Sequence, residues 1–312
     1  MDNRSSTYNQ TLLDDIVKNV SQIILGKEKA IRLAVTCLLC RGHILIEDLP
    51  GVGKTTLAHA LAKSLGLQFN RIQFTSDMLP ADILGVSIFE SGNHAFHFHP
   101  GPIFTQVLLA DEVNRATPKT QSALLEAMEE HQVTIEGETR PLPNPFFVIA
   151  TQNPGFQIGT FPLPESQMDR FLMRVHLGYP DPKAERELLT SRDRRDQLQE
   201  LESNFDHQEL THLQQAVETV HISEDLLDYV QALIEFSRQP GNYTTGLSPR
   251  AGLGLLHAAR AWALMHGRNH VLPDDIQAVL HSVVNHRLQA ISSADDINAD
   301  SVSNKLLSVP IP

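Results

Sequence analysis

The amino-acid sequence predicts an α/β domain followed by an all-helical one. Three observations carry that prediction. Short apolar runs suited to buried strands alternate with helical periodicities up to about Leu177. One of these runs, His43-Ile44-Leu45-Ile46, feeds a glycine loop that opens directly into a helix. Past Gly178-Tyr179-Pro180-Asp181-Pro182 the pattern is helical throughout, so this stretch is the expected boundary between residues 1–180 and 181–312.

In chain order, residues 11–22 read as an amphipathic helix with Leu12, Leu13, Ile16, Val17 and Val20 on one side. A second helix, residues 31–41, ends before Gly42 and carries Cys37-Leu38-Leu39-Cys40 late in an apolar run. A redox pair wants a helix N-terminus and zinc wants two more ligands, so these cysteines are expected as small core residues.

Next comes Leu49-Pro50-Gly51-Val52-Gly53-Lys54-Thr55-Thr56, between the first strand and a helix marked by Leu57, Leu61 and Leu65. That context turns a G-x-G-K-[ST] string into a phosphate-binding loop. Gly51 and Gly53 permit backbone angles that turn successive N–H groups inward, and the helix N-terminus adds partial positive charge. Lys54 is expected to reach the β- and γ-phosphates and the Thr55 hydroxyl to ligate Mg²⁺. The position where such loops begin with glycine holds Asp48.

Residues 68–75 read as a second strand and residues 78–85 as a short helical turn. Residues 86–90 and 94–99 flank Ser91-Gly92-Asn93 and read as a hairpin. On a strand His97 and His99 share one face, with Phe96 and Phe98 on the other, so with His94 they are expected in a two-faced hairpin rather than a metal site. Val107-Leu108-Leu109-Ala110-Asp111-Glu112 is a buried strand ending in two acids. Such a pair suits a phosphate loop: Asp111 in the Mg²⁺ shell, Glu112 polarising water against the γ-phosphate. Thr117-Pro118 starts a helix, and residues 132–142 around Gly137 read as a second hairpin. A further strand ends in Ala150-Thr151-Gln152-Asn153-Pro154, where Asn153 either caps a turn or orients the attacking water. A loop with Phe156, Phe161 and Leu163 follows, then a helix from Pro164 and a last strand over residues 173–177.

The second half reads as helices near 183–192, 208–220, 223–238, 249–266 and 273–290, then a stretch from about 291 that is polar with Ser and Asp and closes on Lys305-Leu306-Leu307-Ser308-Val309-Pro310-Ile311-Pro312. Ser248-Pro249 fits an N-cap and first turn, which puts Arg250 where the helix dipole disfavours a cation unless an anion is near.

Composition narrows the function. The 312 residues are 41% hydrophobic with a net charge of −12, and no basic stripe is present, so nucleic acid and anionic membrane are not expected as partners. Arg192-Asp193-Arg194-Arg195-Asp196 alternates in charge and reads as a solvated helix face. A polar N-terminus and the lack of a long apolar run lead to the expectation of a soluble, cytoplasmic protein.

With these residues in hand the chain resembles the MoxR family of AAA+ ATPases. The strings that carry the likeness begin with Glu47-Asp48-Leu49-Pro50-Gly51-Val52-Gly53-Lys54-Thr55 and Leu109-Ala110-Asp111-Glu112-Val113-Asn114-Arg115-Ala116. To these are added Ala150-Thr151-Gln152-Asn153-Pro154, Leu163-Pro164-Glu165-Ser166-Gln167-Met168-Asp169-Arg170-Phe171 and Ser248-Pro249-Arg250-Ala251. The resemblance implies a five-stranded parallel sheet in an αβα sandwich, a helical lid, and assembly into a hexameric ring that uses ATP and Mg²⁺. It implies Walker A at Lys54 and Thr55, Walker B at Asp111 and Glu112, and sensor 1 at Asn153. Arg170 matches an arginine finger supplied by a neighbouring subunit and Arg250 matches sensor 2, acting on its own or a neighbouring nucleotide. The two hairpins match insertions shared with magnesium-chelatase motor subunits. Members resemble chaperone-type remodelling factors that work with a partner carrying a von Willebrand factor A domain. Two other readings stand beside this one: a nucleotide-gated scaffold with little turnover, against which Glu112 argues, and a nucleic-acid motor, against which the net charge argues.

Overall fold

The computed structural model describes residues 3–92, 94–153, 159–190, 194–201, 203, 205, 207–289, 291 and 299–311. Asn93, Pro154, Phe156, Arg192, Asp193 and most of the polar stretch after residue 291 lie outside the described residues.

Helices α1 (Asn3–Ile23) and α2 (Glu28–Leu39) precede strand β1 (Ile44–Glu47), which leads through the glycine loop to α3 (Lys54–Ser64). Strand β2 (Phe69–Gln73), short helix α4 (Pro80–Leu84) and the hairpin β3 (Gly85–Glu90) with β4 (Ala95–Pro100) follow. Then come β5 (Val107–Asp111), α5 (Pro118–Glu130), the hairpin β6 (Gln132–Ile135) with β7 (Glu138–Pro141), and β8 (Phe147–Gln152). Short helix α6 (Glu165–Met168) and β9 (Met173–Val175) close the α/β part. The rest is α7 (Pro182–Thr190), α8 (Arg194–Glu200), α9 (His207–Glu218), α10 (Glu224–Arg238), α11 (Pro249–Met265) and α12 (Pro273–Val284), then a 3₁₀ segment, Ala299–Ser308.

Five strands form one parallel sheet in the order β2-β5-β8-β1-β9. The three central strands are buried along almost their whole length, as apolar runs covered on both faces must be. Edge strand β2 instead buries Ile72 and exposes Asn70, Arg71 and Gln73. Alternation then splits the core in two. Ile44, Ile46, Leu109 and Ile149 face a cluster shared with α1, α2, α3 and the lid helices. Leu45, Leu108, Val148 and Ala150 face a second cluster with α5, Ile83, Val133 and Leu142. Helix α11 packs along α12 and also against α1, α2 and α9, so the lid shares the first cluster with the sheet. Cys37 and Cys40 are buried and free, and burial pushes both thiols' pKa up, in keeping with a packing role.

Two expectations are corrected. Helix α1 extends well upstream of residue 11. Arg194 is no solvated charge: its Nη1 donates to the Gln22 and Ile23 carbonyls, 2.9 and 2.8 Å away, capping α1. The apolar close of the chain docks on the helical part: Leu306 and Val309 are buried and the Val302 carbonyl accepts from Tyr243 Oη at 2.8 Å. Ser303, also buried, adds a polar tie there, its N–H donating to Asn285 Oδ1 at 3.1 Å. Among the described residues no helix is long and apolar enough to cross a membrane.

Candidate active site

Parallel strands deliver their C-terminal ends to one edge of the sheet, and the loops there form a cavity of about 330 Å³. It is lined by Pro50, Gly51, Gly53, Lys54, Thr55 and Thr56 from the loop, joined by Arg71, Gln73, Asp111, Glu112 and Asn153. Of the expected loop residues from Pro50 to Thr56, Val52 alone is absent from that lining, and it packs on the core. Gly51 and Gly53 have φ of +85° and +98°, and a Cβ at Gly51 would meet nothing within 4 Å. Backbone angle rather than space therefore demands glycine.

Asp48 has a structural explanation. Its Oδ2 accepts from the Leu177 and Gly178 N–H groups, both at 2.6 Å, and its Oδ1 from Leu49 N at 2.8 Å. The carboxylate ties the start of the loop to the chain beyond β9, a job glycine has no side chain to do.

Lys54 Nζ donates to the Asp48 carbonyl at 2.5 Å and to Asn153 Oδ1 at 3.1 Å. Partial burial lowers its pKa, opposed by the charges of Asp48, Asp111 and Glu112. Asn153 Nδ2 in turn donates to Glu112 Oε1 at 3.1 Å. Glu112 sits in the left-handed region at φ +56°, which costs a non-glycine residue about 1–3 kcal/mol. Thr151 holds it there: Oγ1 accepts from Glu112 N at 2.9 Å and donates to Asp111 Oδ1 at 2.6 Å. Gln73 Nε2 and Arg115 Nη1 donate to Glu112 Oε2 at 3.0 and 3.1 Å. Arg71 grips Asp111 Oδ2 through Nη2 at 2.7 Å and Nε at 3.1 Å.

Asp111 and Thr55 line the same cavity, and hard oxygen donors such as theirs fit Mg²⁺. Arg71, Gln73 and Thr151 join the site without belonging to the sequence-derived candidates. Arg71 and Gln73 share one face of an edge strand by their period of two, a signal that needed the strand order to become meaningful.

The two remaining candidates lie elsewhere. Arg170 Nε is 3.0 Å from Glu129 Oε2, and Arg250 Nη1 is 3.2 Å from Glu129 Oε1. Glu129 is in the last turn of α5, Arg170 precedes β9, and Arg250 is in the first turn of α11, N-capped by Ser248 Oγ at 3.1 Å from Ala251 N. The expected anion near Arg250 is thus a carboxylate of its own chain. Asp169 does not form a surface pair with Arg170; it bonds Arg287 at 2.6 Å. The Arg170–Glu129–Arg250 cluster borders a cavity of about 280 Å³ that includes His43, at the strands' N-terminal edge. From His43 to Asp48 the chain crosses the sheet, roughly 16 Å at about 3.3 Å per residue.

Comparison with known proteins agrees with this layout. Residues 43–173 match the ATPase family associated with various cellular activities (AAA), and residues 237–306 match the AAA lid domain. A solved structure of a candidate ATPase from Cytophaga hutchinsonii superposes with a TM-score of 0.89 at 36% identity, covering 98% of this chain and 96% of that one. The chain is 42% identical to the uncharacterised protein YeaC of Bacillus subtilis, over 96% of this chain and 95% of that protein. It is 40% identical to chaperone MoxR1 of Mycobacterium tuberculosis, over 95% of this chain and 81% of the relative. The chain belongs to the MoxR family of AAA+ ATPases. In this MoxR-family chain the AAA match spans the whole lining of the glycine-loop cavity together with Arg170, and the lid match contains Arg250.

Proposed function

We propose that this MoxR-family chain binds and hydrolyses Mg·ATP in a ring of its own copies, hexameric by family likeness. Each phosphate cavity is completed by Arg170 and Arg250 of the adjacent subunit, and the cycle remodels a partner protein.

The observation that carries this reading is the division of charge between two edges of one sheet. Lys54, Asp111, Glu112 and Asn153 converge on one cavity, while Arg170 and Arg250 share Glu129 at the other edge. Arg71 lines the first cavity too, but two hydrogen bonds commit it to Asp111. A head-to-tail contact between copies brings the second edge of one to the first edge of the next.

Each side chain then has a task. The inward N–H groups of the loop and Lys54 hold the β- and γ-phosphates. Bound by Thr55 and Asp111, Mg²⁺ would neutralise phosphate charge. Glu112 takes the proton of the attacking water, and Asn153 fixes where its carboxylate points. An arginine at the γ-phosphate is worth roughly 10³–10⁵ in rate, which is the role given to the neighbour's Arg170.

Remodelling of a protein draws support from the first hairpin, which exposes Val86, Ile88, Phe89 and Phe96. The MoxR1 relative is named a chaperone, and the family likeness points to a partner carrying a von Willebrand factor A domain. Arg140 of the second hairpin, the one fixed cation there that a nucleic acid would meet, is paired with Glu138 and stacks 4.0 Å over the Phe98 ring. That tie between the hairpins, with the net charge of −12, favours a protein client over DNA.

Calorimetry and turnover test the assignment. Lys54→Ala is expected to lose Mg·ATP binding, and Glu112→Gln to keep binding while turnover stops. Unchanged affinity in Lys54→Ala, or normal turnover in Glu112→Gln, contradicts it.

A further inference from the structure

Arg287, just past the end of α12, is the most heavily bonded side chain at the lid–sheet junction. Its side chain is 5% exposed. Nε donates to Asp169 Oδ1 at 2.6 Å, and Nη2 to the Phe171 and Asp169 carbonyls at 2.7 and 3.2 Å. Nη1 donates to the Leu172 carbonyl at 3.1 Å and to the Val283 carbonyl of α12. A guanidinium has five N–H donors, so its capacity is used in full.

The targets matter more than the number. Four of the bonds go to residues 169, 171 and 172, on both sides of Arg170, and none to Arg170 itself. The same segment is held from two more directions. His286 Nε2 lies 3.0 Å from the Phe171 carbonyl, and Leu172 N donates to the His43 carbonyl at 2.9 Å. The backbone around Arg170 is therefore locked between the lid and the start of β1, while the Arg170 side chain stays partly exposed beside Glu129. A cation removed from water this far is costly unless every donor is satisfied. Packing alone would be met by an apolar side chain; a planar fork that binds backbone on both sides of one residue fixes orientation.

We propose that Arg287 is a positioning residue for Arg170: it transmits the placement of the lid to the segment 169–172, so that Arg170 meets the neighbouring subunit's phosphate in one geometry. This rests on the reading of Arg170 as a finger acting across the interface. Arg287 touches no phosphate; it sets where Arg170 is.

The test combines Arg287→Lys, which keeps the charge and loses the fork, with Asp169→Asn, which weakens the same clamp from the other side. A displacement of about 1 Å costs roughly 10²-fold in rate, so each variant is expected to lower kcat by about that factor with ATP affinity unchanged. Subunit mixing then separates positioning from general damage. Arg287→Lys mixed with Lys54→Ala should regain ATPase, because some interfaces pair an intact loop with an intact Arg170 segment. Arg287→Lys mixed with Arg170→Ala should not, because both lack the same function. Recovery in that second mixture, or wild-type kcat in both single variants, overturns the proposal. So does loss of ATP binding or of folding in both variants, which makes Arg287 a purely structural tie. Lys54→Ala mixed with Arg170→Ala is the control: failure there removes the finger reading and this proposal with it, whereas recovery there leaves the Arg287 arms to stand or fall alone.

Discussion

Asn153 Nδ2 donates to Glu112 Oε1 across 3.1 Å, so the amide beyond the end of β8 holds the carboxylate beyond the end of β5. The other end of the same amide accepts from Lys54 Nζ at 3.1 Å, which matches each pole of Asn153 to an opposite charge. A hydrogen bond to a charged group is worth about 1.5–3 kcal/mol. Asn153→Ala is therefore expected to lower kcat by roughly 10- to 100-fold, with a smaller effect on ATP affinity. Steady-state kinetics with calorimetric affinities check this; an unchanged kcat would show that Asn153 merely caps a turn.

Asp48 makes a prediction about stability. Removing its carboxylate leaves the N–H groups of Leu177 and Gly178 without the acceptor they have at 2.6 Å. The Leu177 N–H is buried, and an orphaned buried donor costs about 1–3 kcal/mol; the part-buried Gly178 N–H adds less. Asp48→Ala should lower the thermal midpoint by about 5 °C or more, and Asp48→Gly should be no better although it restores the glycine usual in such loops. A midpoint for Asp48→Gly equal to wild type would contradict the tether.

His43 makes a prediction about pH. The ring is buried; Val148 N donates to its Nδ1 at 3.0 Å and its Nε2 meets the Met128 carbonyl at 3.1 Å, which fixes the neutral form. Burial lowers its pKa from the usual 6.5 to about 4, and His286 is shifted the same way, chiefly by burial. A histidine whose folded pKa is depressed contributes stability that is full above pH 6.5 and lost as pH falls toward 4. For His43 the loss approaches about 1.4 kcal/mol per pH unit within that window. The urea midpoint should decline across it, and the His43 ring should stay neutral by NMR down to about pH 4. A ring midpoint near 6.5 would contradict the buried neutral assignment.

Much of the fold was legible because the physics was local. The runs around Leu45, Leu108 and Val148 are apolar on both strand faces, which only a covered parallel sheet accommodates, and Lys54 and Glu112 stand at the ends such strands bring together. Other features were not legible. Helix α8 and the docked end at Leu306 are short and polar apart from a few apolar residues. Glu129 and Arg287 act on residues far away in sequence and belong to no motif. A hint existed for Arg287, a cation at the end of an apolar helix, but its target could be known only once α12 was placed against β9.

Arg250 carries a prediction of its own. Because it shares Glu129 with Arg170, both are expected to serve the same neighbouring site. Mixed subunits of Arg170→Ala and Arg250→Ala should then stay inactive, since every interface lacks one arginine or the other. Recovery of ATPase in that mixture would mean that Arg250 acts on its own subunit's nucleotide.

The most direct measurement is the ATPase rate of Lys54→Ala mixed at equal ratio with Arg170→Ala, each inactive alone. With random exchange, roughly a quarter of head-to-tail interfaces join an intact loop to an intact Arg170. A shared site predicts partial recovery, smaller if the ring fires in concert. No recovery despite proven subunit exchange, or full activity of Arg170→Ala by itself, would contradict a site divided between subunits.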